Sequence, residues 1–130
     1  MTTPVSFELA KLLKEKGFDL YCQHSYWKGE LTLHTPGYAL KDGTTSQANY
    51  FNFERYYAPT IAEVVMWLYE KHGIWISVVP YDDEELSQTL WENKIIDIAD
   101  DYNDYSDYTF YHSPTEAYEA VILYTLNNLI

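Results

Sequence analysis

Cysteine, glycine and basic residues are all scarce in this chain of 130 residues, and each scarcity removes a class of function. Cys22 stands alone, so no intrachain disulfide can form, which suits a reducing compartment. Five glycines leave little from which to build a phosphate-cradling loop, and no G-x-G-x-x-G, P-loop or G-x-S-x-G pattern occurs. No apolar run approaches the roughly 20 residues that a membrane helix needs. Met1 to Phe18 has neither an apolar signal core nor a small-residue cleavage pattern, so the expected location is cytoplasmic, without membrane contact. His24, His34, His72 and His112 fall in no zinc-binding spacing with one another or with Cys22, and no metal or cofactor is expected.

The shortage of basic residues is uneven. Up to Lys71 the chain holds seven basic and eight acidic residues; from His72 onward Lys94 is the one basic residue against twelve acids. Nearly all of the net charge of −12 therefore sits in the second half. That half would repel a phosphate backbone, so direct nucleic-acid binding is not expected, and a partner protein with a basic surface is favoured. What the chain has in abundance is aromatic area: 14 Tyr, 5 Phe and 4 Trp, enough both to line a core and to present an amphipathic surface.

Caps and periodicity predict three helices. Ser6 to Lys16 has an N-cap serine, an apolar face of Phe7, Leu9, Ala10, Leu12 and Leu13, and Gly17 as its stop. Thr60 to His72 opens on a Thr60/Glu63 capping box after Pro59, carries a stripe of Ile61, Val64, Val65 and Leu68, and ends at Gly73. Pro114 to about Asn128 follows a Ser113/Glu116 capping box, with Pro114 at the first helical position.

Strand signals fill the intervals. Phe18–Trp27 and Leu31–His34 read as a hairpin whose two-residue turn is Lys28-Gly29, pairing Trp27 with Glu30. That register gathers Phe18, Leu20, Cys22, His24, Tyr26, Leu31 and Leu33 on one face. Further strands are expected at Ile74–Tyr81, Thr89–Ile98 and Tyr108–His112, with a short extra one within Asn49–Tyr57 in the long connection from Thr35 to Ala58. The expected fold is a single α+β domain over residues 1–130. It has an antiparallel sheet of about five strands with three helices packed mainly on one face, in the order α-β-β-α-β-β-β-α.

Three consecutive Asp-Tyr-x triplets supply the candidate site: Asp101-Tyr102, Asp104-Tyr105 and Asp107-Tyr108. Their spacing fails the EF-hand pattern, whereas alternating Tyr and Asp suits a contact patch for a basic partner. Asp82, Asp83, Glu84, Glu85, Glu92, Asp97 and Asp100 bring the carboxylates between positions 82 and 107 to ten. Arrayed on one face, they would imitate a nucleic-acid backbone and occupy the cleft of a DNA-binding protein. A third alternative is a small-molecule binder or hydrolase, with Trp67, Trp75, Trp91 and tyrosines lining a groove that holds at least two inward carboxylates. Exposed aromatics leave homodimerisation open.

Three segments carry a resemblance: Phe7-Glu8-Leu9-Ala10-Lys11-Leu12-Leu13-Lys14-Glu15-Lys16-Gly17-Phe18, then Ala58-Pro59-Thr60-Ile61-Ala62-Glu63 through Trp67-Leu68-Tyr69-Glu70-Lys71-His72-Gly73-Ile74, and Ser113-Pro114-Thr115-Glu116-Ala117 through Leu129-Ile130. In these the chain resembles small phage- and prophage-type proteins of anaerobic gut bacteria, a family of unknown function. The resemblance implies a mobile-element accessory protein acting in a bacterial host cytoplasm. It favours interaction with host machinery over metabolic catalysis. The reading of the whole is therefore a non-enzymatic, acidic, Tyr-rich interaction module.

Overall fold

The computed structural model describes residues 3–33, 55–106 and 108–130, which group into two compact units, 3–62 and 63–130. The α+β class expected from the sequence is present: three helices and two antiparallel sheets stand among the described residues. The strands expected in one sheet of about five divide instead into a three-stranded and a four-stranded sheet.

In the first unit, helix α1 (Phe7–Glu15) is capped by Ser6, whose Oγ accepts from the Leu9 amide at 3.3 Å. Its end is a Schellman turn. Gly17, at φ +91°, donates to the Lys14 carbonyl, and Phe18 donates to Leu13 O at 2.9 Å. This bond commits the Phe18 amide to the helix end, and the first strand, β1, is His24–Trp27 rather than Phe18–Trp27. It pairs with β2 (Glu30–Leu33) in the expected register, Trp27 opposite Glu30, through a turn with positive φ at Lys28 and Gly29.

On its other side β1 pairs with β3 (Arg55–Tyr57), which meets the expected extra strand; the rest of that connection, and His34, lie outside the described residues. Phe7 packs edge-on against Tyr26 and Tyr56. Leu31 and Leu33 on edge strand β2 stay exposed, whereas Ser25, at the centre of the opposite face, is fully buried with Thr32 Oγ1 3.4 Å from its Oγ. Both faces of the central strand are therefore covered, Tyr26 by Phe7 on one side and Ser25 beside the buried Tyr57 on the other, while the edge strand keeps Leu31 and Leu33 in solvent.

In the second unit, helix α2 (Ile61–His72) continues from the boundary, with Val64, Val65, Trp67 and Leu68 buried, and stops at Gly73. Strands β4 (Ile74–Asp83) and β5 (Gln88–Asp97) form a hairpin of ten paired residues per strand. Two short strands, β6 (Asn103–Asp104) and β7 (Phe110–Tyr111), both pair with the free edge of β5, opposite Ile96–Asp97 and Trp91–Glu92 respectively. The expected strand at Tyr108–His112 is therefore only its middle pair, and β6 was not anticipated.

Helix α3 (Pro114–Asn128) lies against β4, β5 and β7 and buries Ala117, Val121, Ile122 and Leu126 opposite Ile74, Ile76 and Ile95. Ser113 Oγ accepts from the Glu116 amide at 3.1 Å. Replacing Ser113 by Ala is expected to cost about 1 kcal/mol in urea unfolding, and Ser113→Asp to restore it.

Candidate functional site

Alternation along the β4–β5 hairpin sorts its side chains onto two faces. Ile76, Val78, Asn93 and Ile95 share the face under α3. Trp75, Ser77, Val79 and Tyr81, with Leu90, Glu92, Lys94 and Ile96 opposite, share the other. Phe110 of β7 joins this outer face by pairing with Glu92, and its ring lies 4.8 Å from that of Tyr81, tilted by 39°. Trp75, Tyr81 and Phe110 are all exposed. The rings of Trp75 and Tyr69 meet edge to face at 5.7 Å.

The Asp-Tyr triplets run along the outer edge of this sheet. Asn103 donates from its amide to Asp100 O at 3.1 Å, and Asp101 and Tyr102 between them have φ of 55° and 60°. This is the backbone of a type I′ turn, in which two successive positive φ values normally call for Asn and Gly. Tyr108 is likewise at φ 60°. Bulky residues in the left-handed region store about 1–2 kcal/mol each. Both tyrosines point outward, 69% and 63% exposed.

Tyr105 behaves differently. It is half-buried, and its hydroxyl accepts from Asn103 Nδ2 at 3.0 Å and donates to Asp100 Oδ2 at 3.3 Å. Asp101 and Asp104 are exposed, while Asp107 lies outside the described residues. The edge therefore brings Tyr102, Tyr108, Asp101 and Asp104 to the surface and turns Tyr105 into a wall of the cavity described below.

Several carboxylates are engaged in the backbone of their own turns. Asp83 Oδ1 accepts from the Glu85 and Leu86 amides at the hairpin tip, Asp97 Oδ1 accepts from Asp100 N at 3.1 Å, and Asp104 Oδ1 accepts from Ser106 N at 2.8 Å. Hydrogen bonds from the Ser106 hydroxyl and amide hold the Asp104 carboxyl below its usual range; desolvation opposes them, and the charge of Lys94 adds the least. Its charged form is favoured by folding, a contribution present above the ordinary carboxylate pKa and lost as pH falls through the depressed one. The group Asp82 to Glu85 sits at the hairpin tip and Asp97 to Asp104 at its base. At about 3.3 Å per residue the two lie roughly 30 Å apart along the strands.

Between β5 and α3 is a cavity of about 250 Å³, with apolar walls of Ile95, Ala120 and Val121 and the rings of Tyr105 and Tyr124 beside it. Asn93 also lines it; only 2% of this residue is exposed, and its Oδ1 has no hydrogen-bond partner among the described residues. Among the described residues no carboxylate lines this cavity. In the first unit a second cavity, of about 270 Å³, is lined by Lys11, Lys14, Glu15 and Tyr56. There Lys14 Nζ stands 5.0 Å from the Tyr56 ring centre and Lys11 Nζ 5.4 Å from that of Phe7. On the opposite face of that unit's sheet the Arg55 guanidinium stacks 4.9 Å over Trp27, and burial lowers its pKa.

Sequence reading missed Asn93 and the Tyr81–Phe110 pair. The signal for Asn93 was its position in the same strand phase as Trp91 and Ile95, a polar residue in an otherwise apolar register. Nothing local signals that Phe110 meets Tyr81, since the contact passes through β5. Among the described residues no three His, Cys, Asp or Glu side chains converge as a metal site would require. Nor is any described helix long and apolar enough to cross a membrane. No family model, curated protein or solved structure matches the chain.

Proposed function

We propose that this chain is a non-enzymatic protein-interaction module whose contact surface is the outer face and outer edge of the four-stranded sheet. The observation that carries this reading is the set of exposed aromatic side chains there: Tyr81 against Phe110 toward the hairpin tip, Trp75 at its base on the same face, and Tyr102 and Tyr108 on the edge. Large aromatic side chains exposed together mark interaction sites, and Tyr and Trp are over-represented among the residues that dominate binding energy.

The backbone strain at Tyr102 and Tyr108 points the same way, because local geometry alone would select glycine or asparagine there. Exposed Asp82, Asp101 and Asp104 flank the aromatics and favour a partner with a basic surface. The use of Asp83, Asp97, Asp100 and Asp104 as acceptors within their own turns supports a structural rather than an acid–base role for these carboxylates. The resemblance noted above favours a bacterial host cytoplasm as the setting.

The test uses a variant that separates binding from folding. Tyr102→Gly with Tyr108→Gly removes two rings and relieves two strained backbone positions, so the unfolding midpoint should hold or rise. Phe110→Ser is added to open the stacked pair. A bacterial lysate protein captured by the wild type should bind the triple variant at least about tenfold more weakly. Its affinity for the wild type should fall as salt rises. Equal affinity for both forms, with both folded, overturns the reading. Sedimentation of the two forms reports whether a second copy of the chain is the occupant.

A further inference from the structure

We propose that the cavity between β5 and α3 is a binding site for a small neutral ring that carries an O–H or N–H donor, with Asn93 Oδ1 as the acceptor. Three observations converge on it. The first is the position of Asn93. It lies on the inward face of β5, opposite Val78 and two residues from Ile95, where its covered neighbours are apolar. An apolar residue of similar shape would fill this position without cost. An unpaired carbonyl held out of water weakens the fold unless something supplies a hydrogen.

The second observation is space. The cavity's volume of about 250 Å³ exceeds the roughly 150 Å³ known to hold benzene, and it falls short of the usual range for larger ligands. A single substituted ring is the size that fits. The third is the lining. Ile95, Ala120 and Val121 supply apolar walls, and the rings of Tyr105 and Tyr124 supply aromatic ones. The hydroxyl of Tyr105 is committed to Asp100 and Asn103, which holds its ring in place. With no carboxylate, Lys or Arg among the described residues of the lining, a charged ligand would lose its hydration without gaining a counter-charge, so the ligand is neutral. Ser106 also lines the cavity, but its hydroxyl is engaged with Ile95 N and Asp104, which leaves Asn93 Oδ1 as the unpartnered acceptor; apolar walls with a few placed polar groups are the common design of small-molecule sites.

Water entering the cavity would also satisfy Asn93, so the experiment compares two probes that differ in the donor. The full ¹⁵N-labelled chain is titrated with phenol and, separately, with toluene, up to about 10 mM. The backbone amides of Asn93, Ile95, Ala120 and Val121 and the side-chain amide of Asn93 should shift saturably. Phenol should bind up to about tenfold more tightly than toluene, the upper range for one added hydrogen bond.

Asn93→Leu should erase that preference while raising the urea midpoint, since it removes the unpaired carbonyl. Should Asn93→Leu fail to fold, Ala120→Leu, which fills the cavity from the helix side and keeps Asn93, should abolish binding of both probes. Absence of saturable shifts, or equal affinity of the wild type for phenol and toluene, overturns the proposal. So does a phenol preference that persists in Asn93→Leu.

Discussion

Ile76→Ala is expected to lower the unfolding free energy by about 2–5 kcal/mol, a large part of the total for a domain of this size. Ile76 and Ile95 stand directly opposite one another on β4 and β5, both almost wholly excluded from solvent, on the face that α3 covers. Truncation removes the transfer energy of three carbons and leaves a void. Part of that void would open toward the cavity beside Asn93, because Ile95 is one of its walls. Lys94→Ala, on the opposite face of the same hairpin, is the control and should change stability by less than about 0.5 kcal/mol. Urea unfolding followed by circular dichroism measures both. Equal effects would mean that α3 does not seal this face.

The second large effect is expected at Gly73, where helix α2 hands over to β4. Its φ is +67°, a region that costs a side-chain-bearing residue about 1–2 kcal/mol. A Cβ there would also stand 2.8 Å from the Ala99 Cβ and 3.3 Å from its backbone nitrogen. Ala99 cannot retreat freely, because the Gly73 carbonyl accepts from Ile98 N at 2.8 Å and from Ala99 N at 3.3 Å. Overpacking adds about 1–3 kcal/mol, so Gly73→Ala should lose roughly 2–5 kcal/mol in all. Gly17→Ala separates the two contributions. Gly17 has φ +91° but no heavy atom within 4 Å of the added carbon, so it should lose only the backbone share, about 1–2 kcal/mol. Equal losses at the two glycines would show that the Ala99 turn yields without cost.

The acidic composition of the second half takes on a different meaning once the strands are paired. Ten carboxylates close in sequence suggested one charged face, but the β4–β5 hairpin carries Asp82 to Glu85 to its tip and leaves Asp97 to Asp104 at its base. Several of them then close turns, a task that needs an acceptor oxygen two or three residues from an amide. Proximity along the chain thus became proximity within each turn and separation between the two ends.

Sequence alone determined the helices, their stops and the Lys28-Gly29 hairpin register. Ser6, Ser113, Pro114, Gly17 and Gly73 act on backbone groups within one helical turn, so their effect is written locally. Tertiary structure alone decided that the strands form two sheets, that the face of β1 carrying Ser25 is covered while Leu31 and Leu33 are not, and that Tyr105 turns inward while Tyr102 and Tyr108 turn out. It also decided that Asn93 faces a cavity. Alternation assigns residues to the two sides of a strand but not which side is covered. That choice depends on packing against other elements, such as α1 against β1 and β3 and α3 against β5.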